Sequence, residues 1–338
     1  MPHPQFELLK REIDRKIRLV DVGARWGSVD HWKDFGGQAS VYGFEADAEE
    51  CKRLNEAVGA GNVRYFPYAL FSDDRGCRLT ITREPACSSI YRPVETLYRR
   101  YPGCGIMHPE REVFVPSTTL DAFCREHGVE SVDAMKLDTQ GSELDILRGA
   151  TQALSGCSLI DVEVEFNPLY EKQPLFGEVD AFLRARGFVL WRLNTLAHYS
   201  TALIPAAQNG ILLATSPGSH RFAPIDNGQL FWGQAHYVRA EYTAFGPDSL
   251  PRQQAIIAAA LVGQYGHWDL SRELIRKSGD VDLLEAFSAF VPRGAAAACA
   301  SGRCRGRRSE ASGRKPGPSC RERDATPASR RARRVKRL

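Results

Sequence analysis

The chain has 338 residues, 43% of them apolar and 25% charged, which is enough to bury one substantial core, and the formula charge is +4. No apolar run reaches the roughly 18–20 residues of a membrane span, and the opening "MPHPQFELLKREIDRK" lacks an apolar signal segment, so a cytoplasmic protein is expected. The nine cysteines form no C-x-x-C pair, which argues against a zinc site or a disulfide frame, and no histidine–carboxylate cluster has ligand spacing, so no metal is expected.

The predicted elements alternate strand and helix. "RLVDVG" (18–23) reads as a first strand, with Ser28 placed to cap a helix through Phe35. "ASVYGFEA" (39–46) is a second strand, followed by a helix over 47–58, and "NVRYFPYAL" (62–70) is a third. After the turn "SDDRG", the alternation in "CRLTIT" (77–82) predicts a hairpin arm. Residues 84–116 carry five prolines and read as irregular. "TTLDAFCREHG" is a helix stopped by Gly128, and "DAMKLD" (133–138) a fourth strand. The next helix puts Leu144, Leu147, Ala150 and Leu154 on one face, with Ser142 and Asp145 as a capping box. "SLIDVEVEF" (158–166), a helix over 178–187, "FVLWRL" (188–193) and a strand or hairpin over 228–242 complete the alternation, and short helices fill 251–289. Such alternation builds a parallel sheet covered on both faces.

The charge is divided unevenly. Residues 291–338 hold 15 Lys and Arg against three acids, whereas the first 290 hold 30 basic and 38 acidic side chains. From 292 to 334 there is no Leu, Ile, Val, Met or aromatic residue, so burial cannot offset the chain entropy and a disordered tail is expected. An anion-binding arm has this composition, and so does out-of-frame translation of GC-rich DNA, which is the preferred reading. Nucleic acid is therefore expected as a partner only through non-specific contacts of this tail.

In a parallel sheet the ligand lies beyond the carboxyl ends of the strands. The first strand ends in "DVGARWG", with Gly23 and Gly27 around Arg25 and with Asp21 before them. That is a poor pyrophosphate cradle, since a dinucleotide turn needs three close glycines. Glu45 ends the second strand, where paired carboxylate oxygens can receive both hydroxyls of a ribose. A ribose, an ammonium, a sulfonium and no phosphate suit this acidic set, so S-adenosylmethionine is the expected cofactor.

"VDVGARWG", "YGFEAD", "TTLDAF" and "MKLDTQGSELDILRGA", in this order and spacing over residues 17–195, resemble the FkbM family of S-adenosylmethionine-dependent methyltransferases. The resemblance implies the class I methyltransferase fold, a Rossmann-like, seven-stranded, mostly parallel sheet with its last strand antiparallel. It also implies O-methylation of a sugar, glycan or natural-product hydroxyl. Arg25 stands where the family pattern often has Asn. The expected organisation is a lead-in over 1–16, the methyltransferase domain over 17–245, a helical extension over 246–290 and the tail over 291–338.

The expected cofactor contacts are Asp21, Gly23, Ala24, Arg25, Gly27, Glu45, Ala46, Ala69, Leu70 and Asp138. Asp138 ends the fourth strand. Asp161, Glu163 and Glu165 share one face of the fifth, where they are expected to cluster at the substrate mouth and raise one another's pKa. Asp138, Glu163 and Glu165 are thus the candidate catalytic acids, and Ser88, Ser89, Tyr91, Gln140 and Glu143 the candidate substrate contacts. Two other readings stay open. "NPLY" (Asn167–Tyr170) is similar to the N-P-P-Y of amino-methyltransferases, and a decayed cofactor site would leave a binding module without catalysis.

Overall fold

The computed structural model describes residues 3–27, 30–101, 103–199 and 228–289, together with the backbone of 213–214 and 220–221. Ser28 as a helix cap, and the basic tail, lie outside the described residues.

Seven strands form the main sheet: β1 (Ile17–Val22), β2 (Ala39–Phe44), β3 (Val63–Phe66), β4 (Ala134–Leu137), β5 (Leu159–Glu165), β6 (Phe188–Tyr199) and β7 (Gln229–Arg239). Their order across the sheet is 3-2-1-4-5-7-6. Strands β1 to β5 run parallel, while β7 is antiparallel to both β5 and β6. This is the fold that the sequence resemblance implies. The expected strand over 62–70 is broken at Pro67, whose missing N–H ends the ladder; Ala69–Leu70 pairs instead with Ser117–Thr118.

Helices cover both faces. On one side α4 (Leu120–Glu126), α5 (Glu143–Arg148), α6 (Ala153–Gly156) and α7 (Phe176–Arg184) bury Phe123, Leu144, Leu147 and Leu183 against Val20, Met135, Val162 and Val164. On the other, α1 (Pro4–Arg11), α8 (Arg252–Gln264), α9 (Trp268–Lys277) and α10 (Val281–Ser288) pack on Leu19, Ala134, Leu159 and Val238. Every residue of α8 from Ala255 to Gly263 is buried, as expected of "AIIAAALVG", which is apolar all round. Arg252 Nη2 lies 2.6 Å from Glu12 Oε2, which ties the end of α1 to the start of α8, and Gln5 Nε2 donates to the Phe287 carbonyl at 3.0 Å, which ties α1 to α10. Helix α2 (Ala48–Val58) starts at an Asp47 cap and flanks the open edge of the sheet.

The stretch 84–116 is more ordered than its prolines predict. It contains α3 (Glu95–Arg100), and Pro109–Val115 pairs antiparallel with Cys77–Thr82 to complete the hairpin. Its "PEREVFV" is mostly exposed and charged, so it gives no alternation to read. The expected capping box at Ser142 is absent. Ser142 is the N-cap of α5 without a capping side-chain bond, because its hydroxyl donates to Thr139 Oγ1 at 2.7 Å. Among the described residues, no helix is long and apolar enough to cross a membrane.

Candidate active site

A cavity of about 760 Å3 opens at the carboxyl ends of the parallel strands, between the sheet and the 77–116 insert. Its floor is the turn after β1. Gly23 takes φ +78°, and its N–H and that of Ala24 both donate to the Phe44 carbonyl at 3.1 Å. A Cβ on Gly23 would stand 1.8 Å from the Asp138 carbonyl oxygen, so only glycine lets the ends of β1 and β4 close together. Gly27 takes φ +91° to turn the chain back, with its N–H donating to the Ala24 carbonyl at 2.8 Å.

Glu45 is 7% exposed, and one carboxylate oxygen accepts the Asp47 N–H at 2.9 Å. Burial raises its pKa, opposed by that bond and by Arg25, whose guanidinium lies 3.9 Å from Glu45 and 3.6 Å from Asp47. Gly23, Arg25, Glu45, Ala46, Ala69, Leu70 and Asp138 all line the cavity. Three of the expected cofactor contacts do not. Asp21 is fully buried beneath the turn, Ala24 packs with Cys51, Leu54 and Tyr65, and Gly27 acts on the turn itself.

Lys136, to which the sequence reading gave no role, joins two of these acids. Its ammonium lies 3.2 Å from Asp138 and 3.7 Å from Asp21. Burial alone would lower its pKa; Asp138, Asp21 and Asp161 more than reverse this and keep it protonated. Its place two residues before Asp138 on a parallel strand was the available signal.

The loop after β4 is held by side chains that were expected to touch substrate. Glu143 Oε1 accepts the Thr139 N–H at 2.6 Å and its Oε2 accepts the Gly141 N–H at 2.9 Å, which bends the loop over the start of α5. Burial pushes Glu143 up to about 7, against those bonds. Gln140 sits at φ +62°, a conformation a non-glycine residue holds only when its surroundings fix it. They do: Nε2 donates to Asp138 Oδ1 at 3.1 Å and to Glu163 Oε2 at 2.7 Å, Oε1 accepts the Tyr170 hydroxyl at 3.0 Å, and the carbonyl accepts Ser89 Oγ at 2.7 Å. Ser89 also accepts the Tyr91 N–H, and Tyr91 donates to Asp145 at 2.5 Å, so the two residues fasten the insert to the loop after β4 and to α5. Of the expected substrate contacts, Ser88 and Gln140 line the cavity, whereas Ser89, Tyr91 and Glu143 do not.

The acids of β5 are not gathered at the mouth. All seven residues of the strand are buried, but successive same-face side chains stand about 6.6 Å apart along it. Glu163 alone of the three lines the cavity. Asp161 faces the C-terminal helices, 3.6 Å from His236 Nε2, and Glu165 is 2% exposed and buried beyond the cavity. Burial, then Asp138, Glu165 and Glu143, holds the Glu163 carboxyl well above its ordinary pKa. The far wall, which the sequence did not reveal, comes from β6 and β7: Thr195, Tyr199, Trp232 and Gln234.

"NPLY" is used structurally. Asn167 Nδ2 donates to the Leu230 carbonyl at 2.7 Å, and the fully buried Tyr170 points its hydroxyl at Gln140 and the Cys87 carbonyl. Neither residue lines the cavity. Asn167→Ala is therefore expected to loosen β7 and leave most turnover intact. A folded Asn167→Ala protein without activity would restore the amine-directed reading.

A sheet ordered 3-2-1-4-5-7-6 with β7 reversed, and a cavity at the carboxyl ends of its parallel strands, is the architecture of the class I S-adenosylmethionine-dependent methyltransferases. The chain belongs to the FkbM family of that class: the family described as "Methyltransferase FkbM domain" matches residues 21–190. It is similar to the 2-O-methyltransferase NoeI of Sinorhizobium fredii, 27% identical over 173 residues that span 48% of this chain and 69% of that protein. Among solved structures it is similar to the magnesium protoporphyrin IX methyltransferase of Synechocystis with bound S-adenosylmethionine, at 12% identity and TM-score 0.32, covering 70% of this chain and 76% of that one. An rRNA methylase of Streptococcus thermophilus gives 12% identity and TM-score 0.31, covering 70% and 95%.

Proposed function

We propose that this methyltransferase acts on a hydroxyl oxygen, with a saccharide or a sugar-like natural product as acceptor. The carrying observation is the pair Asp138 and Glu163, bridged by one Gln140 amide on the cavity wall, while the amide of Asn167 is spent on a strand. The similarity to a 2-O-methyltransferase supports the same reading.

The residues present fit S-adenosylmethionine, because Gly23, Glu45, Ala46, Ala69, Leu70 and Asp138 line one cavity with the buried Glu45 carboxylate at the end of β2. When bound, the cofactor supplies an electrophilic methyl group. Glu45 would receive the ribose hydroxyls, Ala46, Ala69 and Leu70 would bracket the base, and Asp138 with Lys136 would fix the charge balance beside the amino-acid end. Glu163 would take the acceptor's hydroxyl proton, since a buried carboxylate with a raised pKa is a better base near neutrality than an exposed one. Gln140 holds it in place, and the insert excludes water.

Methyl transfer from labelled cofactor to a panel of neutral glycosides, with the product linkage read by NMR, tests this reading; methylation found only on amines would overturn it. Glu163→Gln should lower kcat by about 10²–10⁴-fold and leave cofactor affinity unchanged. In the native enzyme a base must be ionised to act, so kcat should rise with pH through a midpoint above the usual carboxylate range of roughly 4–4.5. A flat profile from pH 5 to 8 would remove Glu163 from the role.

A further inference from the structure

We propose that Gln234 recognises the hydroxyl adjacent to the one that is methylated, so that the acceptor is a vicinal diol held between Gln234 and Glu163. This rests on the hydroxyl-directed reading of the same site.

Three observations carry it. Gln234 lines the cavity, and its side-chain Oε1 is buried without a hydrogen-bond partner among the described residues. A buried acceptor left in that state costs free energy unless a ligand completes it. Gln234 also lies directly opposite Glu163 in the β7–β5 register. Residues so paired have Cβ atoms about 5 Å apart, and the two side chains are of equal length. Both side chains line the same cavity, so one ligand can present neighbouring hydroxyls to the two of them. Finally, the β6 register shifts between Asn194 and Leu196, with Thr195 at φ +47°, an unusual conformation for a β-branched residue. Bulges next to sites re-aim side chains, and this one brings Thr195 to the cavity wall beside Gln234.

The chemistry selects hydroxyls. Gln140 Nε2 is already committed to Asp138 and Glu163, so the unpartnered Gln234 Oε1 and the Glu163 carboxylate offer acceptor atoms to a ligand that brings its own hydrogens. A hydroxyl can also meet either end of the Gln234 amide, whichever way that group is turned. Trp232 and Tyr199, joined by a 2.9 Å Nε1–hydroxyl bond, supply an amphipathic wall for the apolar face of a sugar ring.

The test uses the full-length protein, labelled cofactor, and neutral methyl hexosides beside monodeoxy analogues that lack one neighbour of the methylated hydroxyl. Native enzyme should lose about tenfold or more in kcat/KM when the recognised neighbour is removed. Gln234→Met, which keeps length and removes hydrogen bonding, should lose about as much on the parent glycoside and nothing further on the deoxy analogue. Equal losses by Gln234→Met on both acceptors, or none, would overturn the clamp and leave hydroxyl methylation standing. If Gln234→Met does not fold, the native comparison decides alone: indifference to every neighbouring deoxy position overturns the clamp. Methylation of no glycoside at all would overturn the hydroxyl-directed reading and the clamp together.

Discussion

Gly23→Ala is expected to abolish measurable cofactor binding and to lower the thermal midpoint by on the order of 5–10 °C. Two costs combine. A non-glycine residue at φ +78° is strained by about 1–2 kcal/mol, and the new Cβ would lie 1.8 Å from the Asp138 carbonyl oxygen. That oxygen belongs to the backbone, so relief requires β1 and β4 to separate at the point where the cofactor would bind. A displacement near 1 Å at a reacting centre would also cost about 100-fold in rate. Gly27→Ala is the internal control: it carries similar strain at φ +91°, but among the described residues its Cβ would meet only the Tyr65 hydroxyl, at 3.6 Å. Calorimetry with S-adenosylhomocysteine and thermal unfolding should thus separate the two substitutions. Equal losses would mean that strain in the turn, and not the closeness of β1 to β4, makes the cradle.

A chain ending at residue 250 is expected not to fold, whereas one ending at 290 should unfold cooperatively and bind cofactor like the full chain. The shorter chain loses α8 to α10, and with them the cover over Leu19, Ala134, Leu159 and Val238. Ile256, Ile257, Leu261, Leu270, Leu274 and Phe287 are at most 3% exposed, and burying each large apolar side chain is worth about 1.5–3 kcal/mol. The sum exceeds the 5–15 kcal/mol margin of a typical domain once the uncovered sheet is added. Circular dichroism and a denaturation curve settle the matter. A cooperative transition in the chain ending at 250 would show that the helices are an ornament on a domain complete without them.

The strand ends were legible because a parallel sheet puts ligands at its carboxyl edge, and Asp21, Glu45, Asp138 and Glu163 could each be placed there by counting. What counting does not give is depth. Asp21 and Glu163 are both expected strand-end acids, but one lies beneath the turn and the other on the cavity wall. Likewise the shared face of Asp161, Glu163 and Glu165 followed from period two, while the spread of the three among His236, the cavity and the region beyond it depends on what packs above each. The far wall was hidden for a different reason. Thr195 and Gln234 reach the site only through a bulge and an antiparallel return, which leave no local pattern. Ser89, Tyr91 and Glu143 show the opposite failure: polar residues near a motif read as ligands, but their bonds are to Gln140, Asp145 and the loop amides.

The bond between Arg252 and Glu12 and that between Gln5 and Phe287 have a consequence for synthesis. During translation at roughly 5–20 residues per second, α1 must wait on the order of tens of seconds for its partner helix to be made. Until then, the part of β1, β4 and β5 that α8 to α10 will cover is an apolar surface left open on the ribosome. Holdase chaperones should therefore meet this nascent chain late, after β5 has been made and before α8 emerges, and codon choice across the last forty described residues should govern the yield of folded enzyme more than codon choice anywhere in the cofactor cradle.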